Sequence, residues 1–122
     1  MRTINEWMDL TRNLALQVME LTDHIPFRTS DNEIVKQITR SSNSVASNFR
    51  ATRRAKSKAD FLNKYKIVEE EADETIHFLF ILKARFPALE SSIVELTKAY
   101  EEFLAIVVKS IQSIRKSRNK QQ

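Results

Sequence analysis

The chain has 122 residues, of which 30% are charged, and its formal net charge is +4. It contains no glycine and no cysteine, which argues against strand turns and phosphate-binding loops and excludes disulfides and Cys-based zinc sites. Glu6 and Asp9 lie where a signal peptide would be apolar, and no apolar run approaches the ~18 residues of a membrane span. We therefore expect one all-α domain located in the cytoplasm.

Apolar residues recur at helical spacing in four segments, and start and stop signals flank them. The predicted helices α1 to α4 cover about residues 4–24, 31–54, 58–85 and 92–117, in a domain of residues 1–118 followed by a polar tail at 119–122. The signals are capping boxes of Thr3 with Glu6 and Ser30 with Glu33, caps at Ser57 and at Ser91 or Ser92, and the helix-stopping Pro87. Short loops between helices of similar length predict an up-and-down antiparallel four-helix bundle.

Two helices carry more apolar residues than one buried stripe needs. The segment 76–82 of α3 and the segment 103–108 of α4 are apolar nearly all the way round the helix. Because a monomeric bundle buries one stripe per helix, the surplus indicates a second buried face. We therefore expect the protein to be a homo-oligomer.

Basic residues concentrate at one end of the predicted bundle. The up-and-down topology brings the start of α1, the α2–α3 turn and the end of α4 together. The candidate nucleic-acid contacts there are Arg50, Arg53, Arg54, Lys56, Lys58, Arg115, Lys116 and Arg118, with Arg2 nearby. Such a basic face attracts phosphate backbones of RNA or DNA. The alternative is that these cations only complement helix dipoles and keep the chain in solution.

A polar face on α2 interrupts its apolar stripe. Arg40, Ser44 and Asn48 are spaced i, i+4 and i+8, with Ser41 beside them. A hairpin centred near Ala55 would bring this face to three acidic residues of α3. The predicted polar network comprises Arg40, Ser41, Ser44, Asn48, Glu70, Glu71 and Glu74. We favour a structural role, in which the pair of arginine and carboxylate sets helix register, over a functional site. Arg40→Ala is then expected to disturb assembly.

The same segment carries a resemblance to a known family. The pattern consists of Gln37, Ile38, Arg40, Ser41, Ser44, Val45, Asn48, Arg53, Arg54, Ser57, Lys58, Phe61, Glu70, Glu71, Ala72, Glu74 and Thr75. It resembles the small four-helix-bundle family encoded in intervening sequences of 23S ribosomal RNA genes, and the similarity extends over nearly the whole chain. Many members have a Glu-Gly pair where Ala51 and Thr52 stand here, which predicts a more helical turn in this chain.

The resemblance also implies an assembly and a partner. A related branch includes the accessory variability determinant of diversity-generating retroelements, a pentameric barrel with a positive surface that binds nucleic acid and a reverse transcriptase. By resemblance we expect a homopentamer with a nucleic-acid role.

No enzyme site emerges from the sequence. Glu71, Glu74 and His77 contain half of a di-iron carboxylate signature, but the only other histidine, His24, has no glutamate three residues before it. A surface or interface histidine is therefore the favoured interpretation. There is no Walker loop or dinucleotide fingerprint, and no pairing of nucleophile with base stands out. We expect no catalytic residue, metal or cofactor.

Two functions remain open at this stage. The first is an oligomer that binds nucleic acid through phosphate contacts. The second is a structural or adaptor oligomer whose partner is a protein, docked on the acidic band of α3 or on the apolar faces of α3 and α4.

Overall fold

A computed structural model describes the backbone of residues 1–120 and the side chains of residues 1–117. Its helices are α1 (Ile4–Thr22), α2 (Thr29–Ala51), α3 (Lys58–Arg85) and α4 (Glu90–Lys120), with 3₁₀ turns at Thr52–Arg54 and Pro87–Leu89. The described residues contain no strand. Each helix packs on the next, and α1 also packs on α4, so the predicted all-α four-helix bundle is confirmed. The predicted polar tail overlaps α4, which continues to Lys120, and its last two residues lie outside the described residues.

The helix starts agree with two of the predicted caps. The Thr3 Oγ1 atom accepts a hydrogen bond from the Glu6 N–H at 3.1 Å, and the Ser57 Oγ atom accepts one from the Asp60 N–H at 3.1 Å. These side chains satisfy backbone donors that the first helical turn leaves without partners. The chain also stays helical past Ala51, through the 3₁₀ turn, as the absence of a Glu-Gly pair predicted.

The other two starts were predicted wrongly. The helix α2 begins at Thr29, because the Arg28 carbonyl already accepts a hydrogen bond from the Asn32 N–H at 2.7 Å. Ser30 is therefore inside the helix and cannot cap it. The helix α4 begins at Glu90, because the Pro87–Leu89 turn runs straight into it. The helix α1 ends at Thr22, two residues before the predicted end.

Aromatic side chains from all four helices meet near the basic end of the core. The Phe103 ring lies 5.7 Å from Trp7 and 5.0 Å from Phe49, and the Phe49 ring lies 6.1 Å from Tyr65. All four rings are buried, as is Tyr100. The Tyr100 hydroxyl has no hydrogen-bond partner among the described residues, and burial raises its pKa. The tryptophan and both tyrosines therefore belong to the core.

The α2–α3 hairpin has a different midpoint from the predicted one. Ser41 contacts Thr75 and Asp31 contacts Arg85, which centres the hairpin near Lys58 instead of Ala55. The 3₁₀ turn and the extended residues after it carry the chain beyond the end of α2 before α3 starts. Because a shift of the centre by three residues moves the opposing residue by twice as many, α3 is displaced along α2 by about six residues, or more than one and a half helical turns.

No helix of residues 1–120 is both long enough and apolar enough to cross a lipid bilayer.

Candidate nucleic-acid interface

The α2–α3 turn, the start of α1 and the end of α4 lie together. The Arg53 guanidinium donates a hydrogen bond to the Asn5 side-chain oxygen, which ties the turn to α1. Near the C-terminal end of α2, the Phe49 ring packs on both Tyr65, near the start of α3, and Phe103 of α4. Because α4 packs on α3 in the antiparallel direction, the end of α4 lies beside the start of α3.

The site, which we term the basic end, consists of cationic side chains exposed to solvent. Its members are Arg50, Arg53, Arg54, Lys56, Lys58, Arg115 and Lys116. Within residues 1–117, no carboxylate forms a salt bridge with any of them. The eighth predicted contact, Arg118, lies outside the residues whose side chains are described. These seven cations are therefore available to an external anion.

Two nearby charges do not belong to the basic end. The Arg2 guanidinium lies 3.5 Å from the Glu102 carboxylate and 5.0 Å from the centre of the Trp7 ring, so it is already engaged. Asp60 is the only acid between residues 50 and 66. Its carboxylate accepts hydrogen bonds from the Lys56 N–H at 2.9 Å and from the Lys64 ammonium at 2.9 Å.

The backbone hydrogen bond from Lys56, followed by the interaction with Lys64, lowers the pKa of the Asp60 carboxyl. The charge of Asp60 is thus directed at Lys64 and at the first turn of α3. The Lys56 cation also attracts this carboxylate and lowers its pKa further, but within residues 1–117 Asp60 forms no salt bridge with a member of the basic end.

Helix dipoles explain only part of this arrangement. Arg50, Arg115 and Lys116 lie near the C-terminal ends of α2 and α4, where a cation is favourable. Lys56 and Lys58 lie at the N-terminal end of α3, where the positive end of the dipole disfavours a cation. Complementing the dipoles can therefore account for Arg53 and Arg54, which end the 3₁₀ turn after α2, but not for Lys56 and Lys58.

The predicted polar network on α2 separates into three parts. The Arg40 guanidinium donates to both Glu71 oxygens at 3.3 Å and to Glu74 at 2.9 Å. Glu70, the third predicted acid, is exposed and lies in a groove against α4. Arg40 is 51% exposed, whereas Glu71 and Glu74 are 17% and 34% exposed.

The remaining members of that network do not reach Arg40. The hydroxyls of Ser41 and Thr75 lie 2.8 Å apart in the core. The Asn48 amide donates to the Ser44 hydroxyl at 2.9 Å and to its carbonyl at 3.0 Å, so this pair stays within α2. Asn48 makes no hydrogen bond to α3 among the described side chains.

Sequence reasoning missed a second contact between α2 and α3. The Asp31 carboxylate accepts two hydrogen bonds from the Arg85 guanidinium, at 2.8 and 3.1 Å, and Asp31 is only 2% exposed. These hydrogen bonds lower the pKa of the Asp31 carboxyl. A hairpin centred at Lys58 would have placed residue 31 opposite residue 85, so the missing information was the length of the turn.

Comparisons with known proteins agree with this fold. Residues 5–109 match the model of the family described as 23S rRNA-intervening sequence protein. The chain belongs to this family. Its fold is similar to the crystal structure, at 1.70 Å resolution, of a protein with unknown function from the S23 ribosomal protein family of Bacteroides thetaiotaomicron VPI-5482. The TM-score is 0.77 at 25% sequence identity, covering 89% of this chain and 97% of the other. No curated protein matches the chain.

The family match divides the basic end. It includes the α2–α3 turn with Arg53, Arg54, Lys56 and Lys58, and it stops before the last turns of α4. The turn is therefore part of the family's shared sequence region, whereas the cations at 115 and 116 lie beyond it.

The described residues hold no group of three side chains suited to bind a metal ion. His77 is exposed, with its ring 5.3 Å from that of Phe78. His24 lies with Glu20 and Glu95 in a shallow surface cleft at the opposite end of the bundle from the basic end. The two histidines therefore sit on different parts of the surface.

Proposed function

We propose that this protein is a non-enzymatic, oligomeric helical bundle that binds RNA or DNA through its basic end. The observation that carries the proposal is the set of seven exposed cations without carboxylate partners among the described side chains. Two of them, Lys56 and Lys58, lie where the dipole of α3 disfavours positive charge. Binding of a phosphate backbone to such a surface releases counterions.

The proposed binding does not read base sequence. Sequence-specific recognition of single-stranded RNA stacks unpaired bases on exposed aromatic side chains, whereas Trp7, Tyr65 and Tyr100 are buried here. Arginine and lysine contacts to phosphates position a protein on the polymer but carry no sequence information. An oligomer, expected to be a pentamer by resemblance, would present several basic ends to one polymer and raise its avidity. We place this activity in the cytoplasm.

The test compares two variants of equal charge. One carries Arg53→Gln, Arg54→Gln, Lys56→Gln and Lys58→Gln, and the control carries Arg28→Gln, Lys36→Gln, Lys83→Gln and Lys98→Gln at the other end of the bundle. Fluorescence anisotropy with a labelled 20-nucleotide RNA and a 20-base-pair DNA is recorded from about 50 to 200 mM salt.

The basic-end variant is expected to lose at least about tenfold in affinity for duplex DNA, and its slope of log K against log salt should become shallower by about 3 to 4. The control should keep most of the wild-type affinity. Equal losses in both variants, or no binding by the wild-type protein at ~150 mM salt, would disprove the proposal.

A second candidate is an adaptor oligomer with a protein partner. It is favoured by a groove between α3 and α4, of about 340 Å³, that combines carboxylates with aliphatic side chains. Recovery of the same protein by pull-down with wild type and with the basic-end variant, without nucleic acid, would support this second function.

A further inference from the structure

The groove between α3 and α4 joins acidic and apolar side chains on the outside of the bundle. Glu69, Glu70 and Asp73 line it from α3, and Leu104 and Val108 line it from α4. Within residues 1–117, these three carboxylates form no salt bridge. We call this surface the acidic groove.

An exposed aromatic ring extends the acidic groove along α3. Phe80 is 63% exposed, although most large apolar side chains of this protein are buried. It follows Asp73 by seven residues, which places it on the same face of the helix, two turns further along. The whole surface therefore presents negative charge at one part and an aromatic ring at the next.

The outer face of α1 offers the complementary chemistry. Leu16 and Met19 are 57% and 43% exposed. Arg12 precedes Leu16 by four residues and Met19 by seven, so the three side chains share one face of α1. Arg12 is exposed and, within residues 1–117, forms no salt bridge. This face, which we call the α1 face, combines a cation with two apolar side chains.

The two surfaces lie on opposite sides of the bundle. The residues of α1 that border α4 are Gln17, Glu20, Leu21 and His24, which line a common cleft with α4. The helical positions of Arg12, Leu16 and Met19 turn away from these residues, toward the α2 side. The acidic groove is on the α3–α4 side, so one chain cannot bring its own two surfaces together.

The surfaces also match in height along the bundle. Trp7 packs on Phe103, and the next residue, Leu104, lines the acidic groove with Asp73. Trp7 and Asp73 are thus at similar heights, and α1 and α3 run in the same direction.

From these positions, Leu16 is nine residues beyond Trp7 and Phe80 is seven residues beyond Asp73. At ~1.5 Å per residue these steps differ by only about 3 Å. Arg12 falls between the heights of Asp73 and Phe80. Two copies that pack side by side with parallel bundle axes would therefore place the α1 face of one copy level with the acidic groove of the other.

We infer that the α1 face of one copy docks in the acidic groove of a second copy, with Arg12 near Asp73 and Leu16 and Met19 against Phe80. The inference rests on the oligomer that the proposed function assumes, and it does not depend on nucleic-acid binding. Because the two docking surfaces differ, the contact is head-to-tail, and it forms a ring if the rotation between copies closes and an open row if it does not. Such a ring would carry the basic ends of all copies on one side.

Two single variants and their mixture test this arrangement. Leu16→Asp disrupts only the α1 face, and Phe80→Asp disrupts only the acidic groove. We call these two the interface variants. Both residues are exposed, so the fold should tolerate the changes, as verified by circular dichroism and urea unfolding. Masses are measured by light scattering during size-exclusion chromatography, without nucleic acid. The matched control is Ser47→Asp on the exposed outer face of α2.

Wild type and Ser47→Asp are expected to form the same oligomer. Each interface variant should elute as a monomer of 14.2 kDa. An equimolar mixture of the two interface variants retains one intact α1 face and one intact acidic groove per pair. It should therefore form a dimer of twice the single-chain mass.

The inference would be overturned by a monomeric wild-type protein, by an unchanged mass in either interface variant, or by a mixture that stays monomeric. A failure of RNA and DNA binding would leave all these masses unchanged, so the two proposals fail separately. A charge exchange gives a second check, since Arg12→Glu should weaken the oligomer and Arg12→Glu with Asp73→Arg should restore it.

Discussion

Arginine side chains occur in two charged regions of this bundle, and their surroundings differ. We call the polar contacts between α2 and α3 the polar seam. In it, Arg40 contacts Glu71 and Glu74, and Arg85 contacts Asp31. At the basic end, seven exposed cations have no carboxylate partner among the described side chains. The charges of the seam join two helices of one chain, and those of the basic end have no carboxylate partner, as the proposed binding of RNA or DNA requires. The same residue type can therefore be assigned a structural or a binding role from its partners.

The largest expected effect concerns the centre of the polar seam. Ser41 is fully buried, and its hydroxyl lies 2.8 Å from that of Thr75. Ser41→Leu would force a larger side chain into this close contact and remove the hydrogen bond. We expect a loss of about 2 to 4 kcal/mol in the free energy of unfolding, measured with urea. Ser47→Leu, on the exposed face of the same helix, should change it by less than about 0.5 kcal/mol. Similar losses in both variants would contradict close packing at the seam.

The helices could be predicted from sequence because periodicity and caps are local. Thr3 and Ser57 cap their helices as expected. The position of α3 along α2 could not be predicted, because it depends on how far the residues from Thr52 to Ser57 carry the chain. That uncertainty hid the contact of Asp31 with Arg85.

Predicting the basic end needed only the topology. An up-and-down bundle brings the α2–α3 turn and the end of α4 together whatever the register between α2 and α3. The pairing of Arg2 with Glu102 was missed, because helical periodicity does not determine the position of α1 along α4.

The next effect tests whether the end of α4 takes part in the proposed nucleic-acid binding. Arg115 and Lys116 lie beyond the family match at residue 109 but on the same end as the turn. Arg115→Gln with Lys116→Gln should lower affinity for duplex DNA by about tenfold at ~100 mM salt and reduce the salt slope by about 2. Anisotropy titrations measure both values. An unchanged slope would confine the binding surface to the α2–α3 turn.

A pH titration compares Asp31, a carboxylate of the seam, with Asp60, the carboxylate beside the basic end. Hydrogen bonds from Arg85 lower the pKa of Asp31, and hydrogen bonds from Lys56 and Lys64 lower that of Asp60. A lowered folded-state pKa stabilises the fold above the ordinary value of 3.8, and this stability is lost as pH falls through the folded-state pKa.

Asp31→Asn and Asp60→Asn should therefore each flatten the fall in unfolding free energy below about pH 4. Urea unfolding at a series of pH values measures it. We expect the larger flattening from Asp31→Asn, since Asp31 is nearly buried and Asp60 is more exposed. The reverse order would show that the carboxylate beside the basic end contributes more to stability than that of the seam.

The smallest effect is expected from Arg40→Ala, which also separates the two regions most directly. Its side chain is 51% exposed, so solvent weakens its ion pairs with Glu71 and Glu74, and their loss should cost less than about 1 kcal/mol of unfolding free energy. Affinity for nucleic acid should stay at the wild-type value, because this arginine is already engaged by two carboxylates. Sequence reasoning also predicts that the variant disturbs assembly, and light scattering checks this. An unchanged oligomer mass would limit Arg40 to joining α2 and α3, whereas a loss of RNA affinity with unchanged mass would extend the binding surface into the seam.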